Sequence, residues 1–211
     1  MVSLDKGFLS ENRTEKDVII LDYAELARKS EACKALGLTV VATSGSFDVK
    51  HIGHDRYLMK ARQLGDILFV GVDSDEKIKK RKGPTRPVVD QAERLEQIFH
   101  LRWAHIVTLK NVSDERHAFL KAVRPDVLLI STQTKKGEQV PEYSEKEIAE
   151  FKQYCGDVKV YEPQAATSTT ARIRTLMLDF KEHMRNKLAL EVPGFVDRIA
   201  DDFFTPKKGD E

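Results

Sequence analysis

Between residues 44 and 54 the chain runs Ser44-Gly45-Ser46-Phe47-Asp48-Val49-Lys50-His51-Ile52-Gly53-His54. Two imidazoles three residues apart flank a glycine, and each ring can donate a hydrogen bond to a phosphate oxygen. Gly53 leaves room for a ligand to approach the backbone. If a helix starts here, its free N–H groups and dipole add to the attraction for an anion. Zinc binding is the competing use of a His pair, but HxxH without a third ligand nearby makes a poor zinc site. No metal ligand is assigned.

A second cluster, Lys77-Ile78-Lys79-Lys80-Arg81-Lys82-Gly83-Pro84-Thr85-Arg86-Pro87, is strongly basic. Such a run is ordinarily a solvated helix end. Here the Gly83-Pro84 and Arg86-Pro87 steps stiffen a loop that can hold Lys82 and Arg86 over a triphosphate. Arg94 follows on the next helix, where an arginine is ordinarily exposed. A third piece, Ala166-Thr167-Ser168-Thr169-Thr170-Ala171-Arg172-Ile173-Arg174, opens a helix with hydroxyl side chains. Ser168, Thr169 and Thr170 suit an N-cap and a phosphate equally well.

These pieces need a scaffold, and the apolar pattern supplies one. Short runs rich in Val, Ile and Leu at 18–21, 39–43, 67–72, 105–109, 126–130 and 158–161 read as strands covered on both faces. Helix-period segments at 23–36, 53–64, 73–80, 90–101, 113–123 and 144–155 alternate with them. That alternation predicts an α/β fold with a doubly wound parallel sheet. Ligands of such sheets bind outside the carboxyl ends of the strands, where the segments after 43 and 72 emerge. A last helix is expected over 170–190, ended by Pro193 and Gly194, with a polar tail from 205. The expected organisation is one domain over 1–190 and a C-terminal helical extension or tail over 191–211.

Composition excludes several function classes. Lys and Arg total 35 against 34 for Asp and Glu, a formal net charge of +1. Without a basic excess, nucleic acid is not expected as a partner. No apolar run reaches the length of a membrane span, and residues 1–16 carry no signal-peptide core. Cys33 and Cys155 are far apart and read as reduced thiols, so a cytoplasmic protein is expected. The nucleotide fingerprints GxGxxG and GxxxxGK[ST] are absent.

The run from Gly45 to His54 resembles GxFDxxHxGH, the signature of the cytidylyltransferase-like nucleotidylyltransferases. Arg94 and Arg102-Trp103 are similar to that family's R-x7-R-[YW] run. Ser168-Thr169-Thr170 with Ile173 is similar to its STT-xx-I motif. The motifs follow in family order and the resemblance spans about 20–173. His51-Ile52-Gly53-His54 also spells the HIGH of class I aminoacyl-tRNA synthetases, but no KMSKS-like loop accompanies it.

The resemblance implies a Rossmann-like nucleotidylyltransferase fold and transfer of a nucleoside monophosphate from ATP or CTP to a phosphorylated small-molecule acceptor. Pyrophosphate leaves, and Mg²⁺ bridges the phosphates. It implies catalytic roles for His51, His54, Lys82 and Arg86. Gly45, Ser46, Phe47, Asp48, Gly53, Arg94, Ser168, Thr169 and Thr170 would bind the nucleotide.

Finer runs, among them Val70-Gly71-Val72-Asp73-Ser74-Asp75 and Lys82-Gly83-Pro84-Thr85-Arg86-Pro87, resemble the adenylyltransferase domain of ADP-heptose synthase. They imply ATP and a sugar phosphate of the heptose 1-phosphate type. Residues 130–136 depart from the Gly-Asp-rich stretch with which the family helps to hold its acceptor. The alternatives are a CTP-dependent enzyme for glycerol phosphate or a related alditol or amino-alcohol phosphate, transfer onto a vitamin-precursor phosphate, and a non-catalytic nucleotide sensor. Family resemblance also implies a homodimer, with Phe195, Val196, Ile199, Phe203 and Phe204 packing either across it or on their own subunit.

Overall fold

A computed structural model describes residues 12–135, 138–141, 143–161 and 169–204. The chain divides into two compact units, 1–166 and 167–211. In the first, the elements run α1 (Glu15–Val18), α2 (Tyr23–Ala35), β1 (Val40–Gly45), α3 (Ile52–Arg62), β2 (Ile67–Asp73), α4 (Asp75–Lys82) and α5 (Gln91–Phe99). They continue with β3 (Ile106–Lys110), α6 (Ala118–Val123), β4 (Val127–Lys135), β5 (Glu138–Pro141), α7 (Glu145–Phe151) and β6 (Asp157–Tyr161).

Five strands are parallel in the order β3-β2-β1-β4-β6, with β5 antiparallel to the outer stretch of β4. The expected doubly wound α/β sheet is therefore present. From β1 the chain winds outward through β2 to β3, then returns to the other side of β1 for β4. The switch point lies between β1 and β4, where crevices form in such sheets. The side-chain hydroxyls of Thr43 and Tyr57 both reach the Leu129 carbonyl, at 2.9 and 3.0 Å, which ties α3 to that point.

Strand alternation divides the core. Val40, Ala42, Ile67, Phe69, Ile106, Leu128 and Ile130 face one side with Leu26, Phe119 and Phe151 of α2, α6 and α7. Val41, Leu68, Val70, Val72, Val107 and Leu129 face the other with Leu58 of α3 and Leu95 and Ile98 of α5. Burying a large aliphatic side chain contributes about 1.5–3 kcal/mol, so these two faces carry most of the fold's stability.

Three expectations need correction. Residues 18–21 form no strand: Val18 ends the short α1, and Ile19 makes only an isolated bridge to Val107. One apolar turn beside the edge strand β3 satisfies the same burial without extending the ladder. Strand β5 was not expected, because residues 138–141 carry no run of apolar alternation; their backbone pairs antiparallel with residues 132–135. The final helix, α8 (Thr169–Phe204), does not stop at Pro193 but holds it inside. An interior proline costs about 3 kcal/mol locally, and the many helix-forming residues before it outweigh that cost. Taken by itself, α8 exposes Leu176, Phe180, Met184, Leu188 and Phe195. Among the described residues no helix is long and apolar enough to cross a membrane.

Candidate active site

The loop leaving β1 turns into α3 through two strained residues. Phe47 and Val49 hold φ of 48° and 49°, a region that side chains, and β-branched ones above all, avoid. Such strain persists only where the surroundings over-determine it, and here they do. The Arg94 guanidinium donates to the Ser46 carbonyl at 2.6 Å, and the Lys82 ammonium to the Ser46 hydroxyl at 3.1 Å. Asp48 Oδ1 accepts from the backbone N–H groups of Val88 and Val89, at 3.0 and 3.1 Å. Its Oδ2 pairs with Arg86 at 2.7 Å. Phe47 is buried in the α3 face of the core with its ring edge-on to His54. The Phe47 and Asp48 side chains thus hold the shape of the loop that follows Gly45.

The two histidines cap α3 reciprocally. His51 Nδ1 accepts from the Gly53 N–H at 3.1 Å, and His54 Nδ1 accepts from the His51 N–H at 3.3 Å. The rings stack with centroids 4.2 Å apart. Burial, and then the neighbouring His51, push the His54 pKa down to about 4. His54 is therefore neutral at pH 7, and because its Nδ1 accepts, the ring proton sits on Nε2. The cap fixes both rings at the start of α3, with the His54 ring proton on Nε2.

Lys82 and Arg86 come to this loop as expected, α4 ending at Gly83 with φ of 97°. Arg94 reaches the loop too, but from beneath. Its side chain is 0% exposed and donates to Val89, Ser46 and Asp73 carbonyls and to Asp75 Oδ1, all between 2.6 and 2.9 Å. The sequence expectation of a phosphate ligand is corrected on this ground: four donors are spent on protein and the group does not face the crevice. Arg102 stacks on Trp103 instead, 4.1 Å from the ring centroid. Ser168 and the side chains of Thr169 and Thr170 lie outside the described residues; the backbone of α8 begins at Thr169.

A group that the motifs did not single out stands at the carboxyl ends of the strands on the opposite face. Ser44, Asp73 and Lys110 end β1, β2 and β3 and line a cavity of about 440 Å³ with α2, α4, α6 and α7. Lys110 donates to the Ser44 hydroxyl at 2.9 Å. Its stem lies over Gly71, where an added Cβ would stand 2.6 Å from Lys110 Cδ. Burial lowers the Lys110 pKa, Asp73 opposing and Lys77 and Arg81 adding to it. Asp73 is 2% exposed and pairs with Arg81 at 3.1 Å, Lys110 at 3.6 Å and Lys77 at 3.8 Å. The available signal was position: each residue closes a parallel strand at the ligand-binding end.

Residues 42–178 match the model of the cytidylyltransferase-like family. The bifunctional protein HldE of Nitratiruptor sp. is 37% identical over 110 residues, 52% of this chain and 24% of that protein. HldE of Geobacter metallireducens is 32% identical over 177 residues, 83% of this chain and 34% of that protein. The chain thus spans about a quarter to a third of these relatives' length. A lipopolysaccharide core biosynthesis protein from Thermoplasma volcanium superimposes with a TM-score of 0.50 at 26% identity, over 62% of this chain and 100% of that one.

Proposed function

The chain belongs to the cytidylyltransferase-like family, a nucleotidyltransferase by that membership, and from this premise we propose that it adenylylates a sugar phosphate. The nucleotide is ATP and the acceptor is of the heptose 1-phosphate type. The observation that carries the reading is the reciprocal histidine cap, which stacks the two rings at a helix N-terminus with the neutral His54 protonated on Nε2. Resemblance to the adenylyltransferase domain of ADP-heptose synthase, together with the HldE relatives, supports the choice of ATP and heptose.

In this mechanism an acceptor phosphate oxygen attacks the α-phosphorus. The new O–P bond forms as the α–β bridging bond breaks, and pyrophosphate departs with its electron pair. A phosphate monoester is already largely ionised at neutral pH, its second pKa being about 6. No general base is required, and the protein's work is positioning and charge stabilisation. His54 and His51 donate to the reacting phosphate, and Lys82 and Arg86 neutralise the β- and γ-phosphates. Backbone from Gly45 to Asp48 cradles the nucleotide, while Arg94 is a positioning residue under that loop. Ser168, Thr169 and Thr170 are assigned to phosphate on family grounds.

Among the described residues, no three His, Cys, Asp or Glu side chains gather as a metal cluster. Mg²⁺, when bound with the nucleotide, would offset the phosphate charge. The enzyme is proposed to work in the cytoplasm as a homodimer, with the exposed apolar side chains of α8 available for pairing; light scattering tests that.

Pyrophosphate release with ATP and CTP, each against heptose, hexose and glycerol phosphates, tests the main reading. Release with ATP and a sugar 1-phosphate supports it. Release only with CTP and an alditol phosphate replaces it with the CTP-dependent alternative, and binding without turnover replaces it with a sensor.

A further inference from the structure

The cavity behind Ser44 has features that call for an occupant. Asp73 Oδ1 is buried, lines the cavity and has no hydrogen-bond donor at contact distance among the described residues. A buried carboxylate oxygen left so is costly unless something completes it. Around this carboxylate stand Lys77, Arg81 and Lys110, all within 4 Å of it. Three cations less one carboxylate leave a local charge of +2. A phosphate monoester carries roughly −1.5 to −2 at pH 7, so one such group balances the cluster.

The cavity's other charged groups have hydrogen-bond or ion-pair partners of their own, Glu147 capping α7 through Ser144. Asp114 accepts from the Tyr23 hydroxyl at 2.8 Å and the Asn111 N–H at 2.6 Å. Arg116 and His117 pair with Glu150, and Glu115 with Lys121. Burial and the neighbouring carboxylate hold Tyr23 protonated. The three cations thus gather at the end nearest β1, around Asp73. The cavity's volume, about 440 Å³, lies in the range of small-molecule sites, which begins at about 300 Å³.

Position links this end to the nucleotide loop. Lys110 bonds Ser44 and Lys82 bonds Ser46, so two ammonium groups sit two residues apart along the same strand exit. Arg81 and Lys82, adjacent in α4, divide between the cavity's Asp73 and that loop. An anion held at Lys110 is therefore two residues along the strand exit from the Ser46 contact of Lys82.

We infer that this cavity is the acceptor subsite and takes a compact polyhydroxylated phosphate monoester. Its phosphate lies against Lys110 and Lys77, and one of its hydroxyls donates to Asp73 Oδ1. The assignment rests on the proposed nucleotidyl transfer for its role in catalysis, although the binding itself does not need it. In this assignment the acceptor's charged contacts come from β2, β3 and α4.

The test is calorimetric titration with mannose 1-phosphate and sedoheptulose 7-phosphate, and with mannose and inorganic phosphate as partial probes. It is run on the full chain and on its Lys77→Ala, Asp73→Asn and Lys110→Met variants. The sugar phosphates are expected to bind more tightly than either partial probe. Lys77→Ala and Asp73→Asn should weaken them about tenfold or more, with ATP affinity retained. Lys77 is partly exposed and Asn nearly matches Asp in shape, so these two variants decide the matter if Lys110→Met fails to fold. No sugar-phosphate binding at millimolar concentration, or binding equal in wild type and both variants, overturns the subsite. Variant-sensitive binding without transfer from any nucleotide leaves the subsite standing and sinks the proposed function. Transfer whose acceptor KM ignores both variants does the reverse.

Discussion

At the start of α3, ten neighbouring residues hold one another: His51 caps Gly53, His54 caps His51, and Phe47 lies under the His54 ring. Across the sheet, the cavity draws Tyr23, Ser44, Asp73, Lys110 and Phe151 from five elements spread over most of the first unit. The first region is stiffened locally and presents a neutral donor. The second is assembled by strand register and concentrates unbalanced charge. A transferase that uses one nucleotide but varies its acceptor benefits from this division, since the acceptor end can change residue by residue without disturbing the loop.

Arg94 is where the two regions meet, donating to Ser46 on one side and to the Asp73 carbonyl on the other. Removing it by Arg94→Met should therefore break both at once. It leaves three carbonyls and the Asp75 carboxylate without their partner, and breaking such a buried pair costs about 3–5 kcal/mol. Urea unfolding measures this, and a loss under 1 kcal/mol would refute Arg94 as the shared support.

The remaining substitutions should separate the regions. His54→Ala is expected to lower kcat by on the order of 10² or more, the cost of one transition-state donor, with little change in sugar-phosphate binding. Pyrophosphate release reads the first quantity and calorimetry the second; near-normal turnover would remove His54 from the chemistry. Lys82→Ala should weaken ATP about tenfold, as expected for a hydrogen bond to a charged group. Acceptor affinity should hold, the mirror image of Lys77→Ala. A variant that moved both affinities equally would merge the two sites into one.

The smallest expected effect is a pH dependence of stability. His54 and His105 both have pKa values pushed down to about 4, chiefly by burial. Both accept a backbone hydrogen bond through Nδ1. Unfolded histidine titrates near pH 6.5, so between about 4 and 6.5 the unfolded chain binds more protons than the folded one. Stability from these rings is complete above pH 6.5 and lost as pH falls through 4. Thermal melts should show Tm declining over that window, and the decline should shrink in His105→Gln if the ring carries it.

Local pattern fixed what depends on near neighbours: the alternation of strands and helices, the loop before α3, the histidine pair and the basic end of α4. Each is written in contiguous residues, and phosphate chemistry needs those types at that spacing. Tertiary structure alone decided which side chain faces where. Arg94 has the same sequence neighbourhood whether it meets phosphate or lies under the loop, and only packing of α5 on β2 and β3 sends it beneath. Asp73, Lys110 and Ser44 are unremarkable residues at three strand ends. They become a site because parallel register brings those ends together and alternation turns all three to one face, a relation between distant residues that local spacing does not encode.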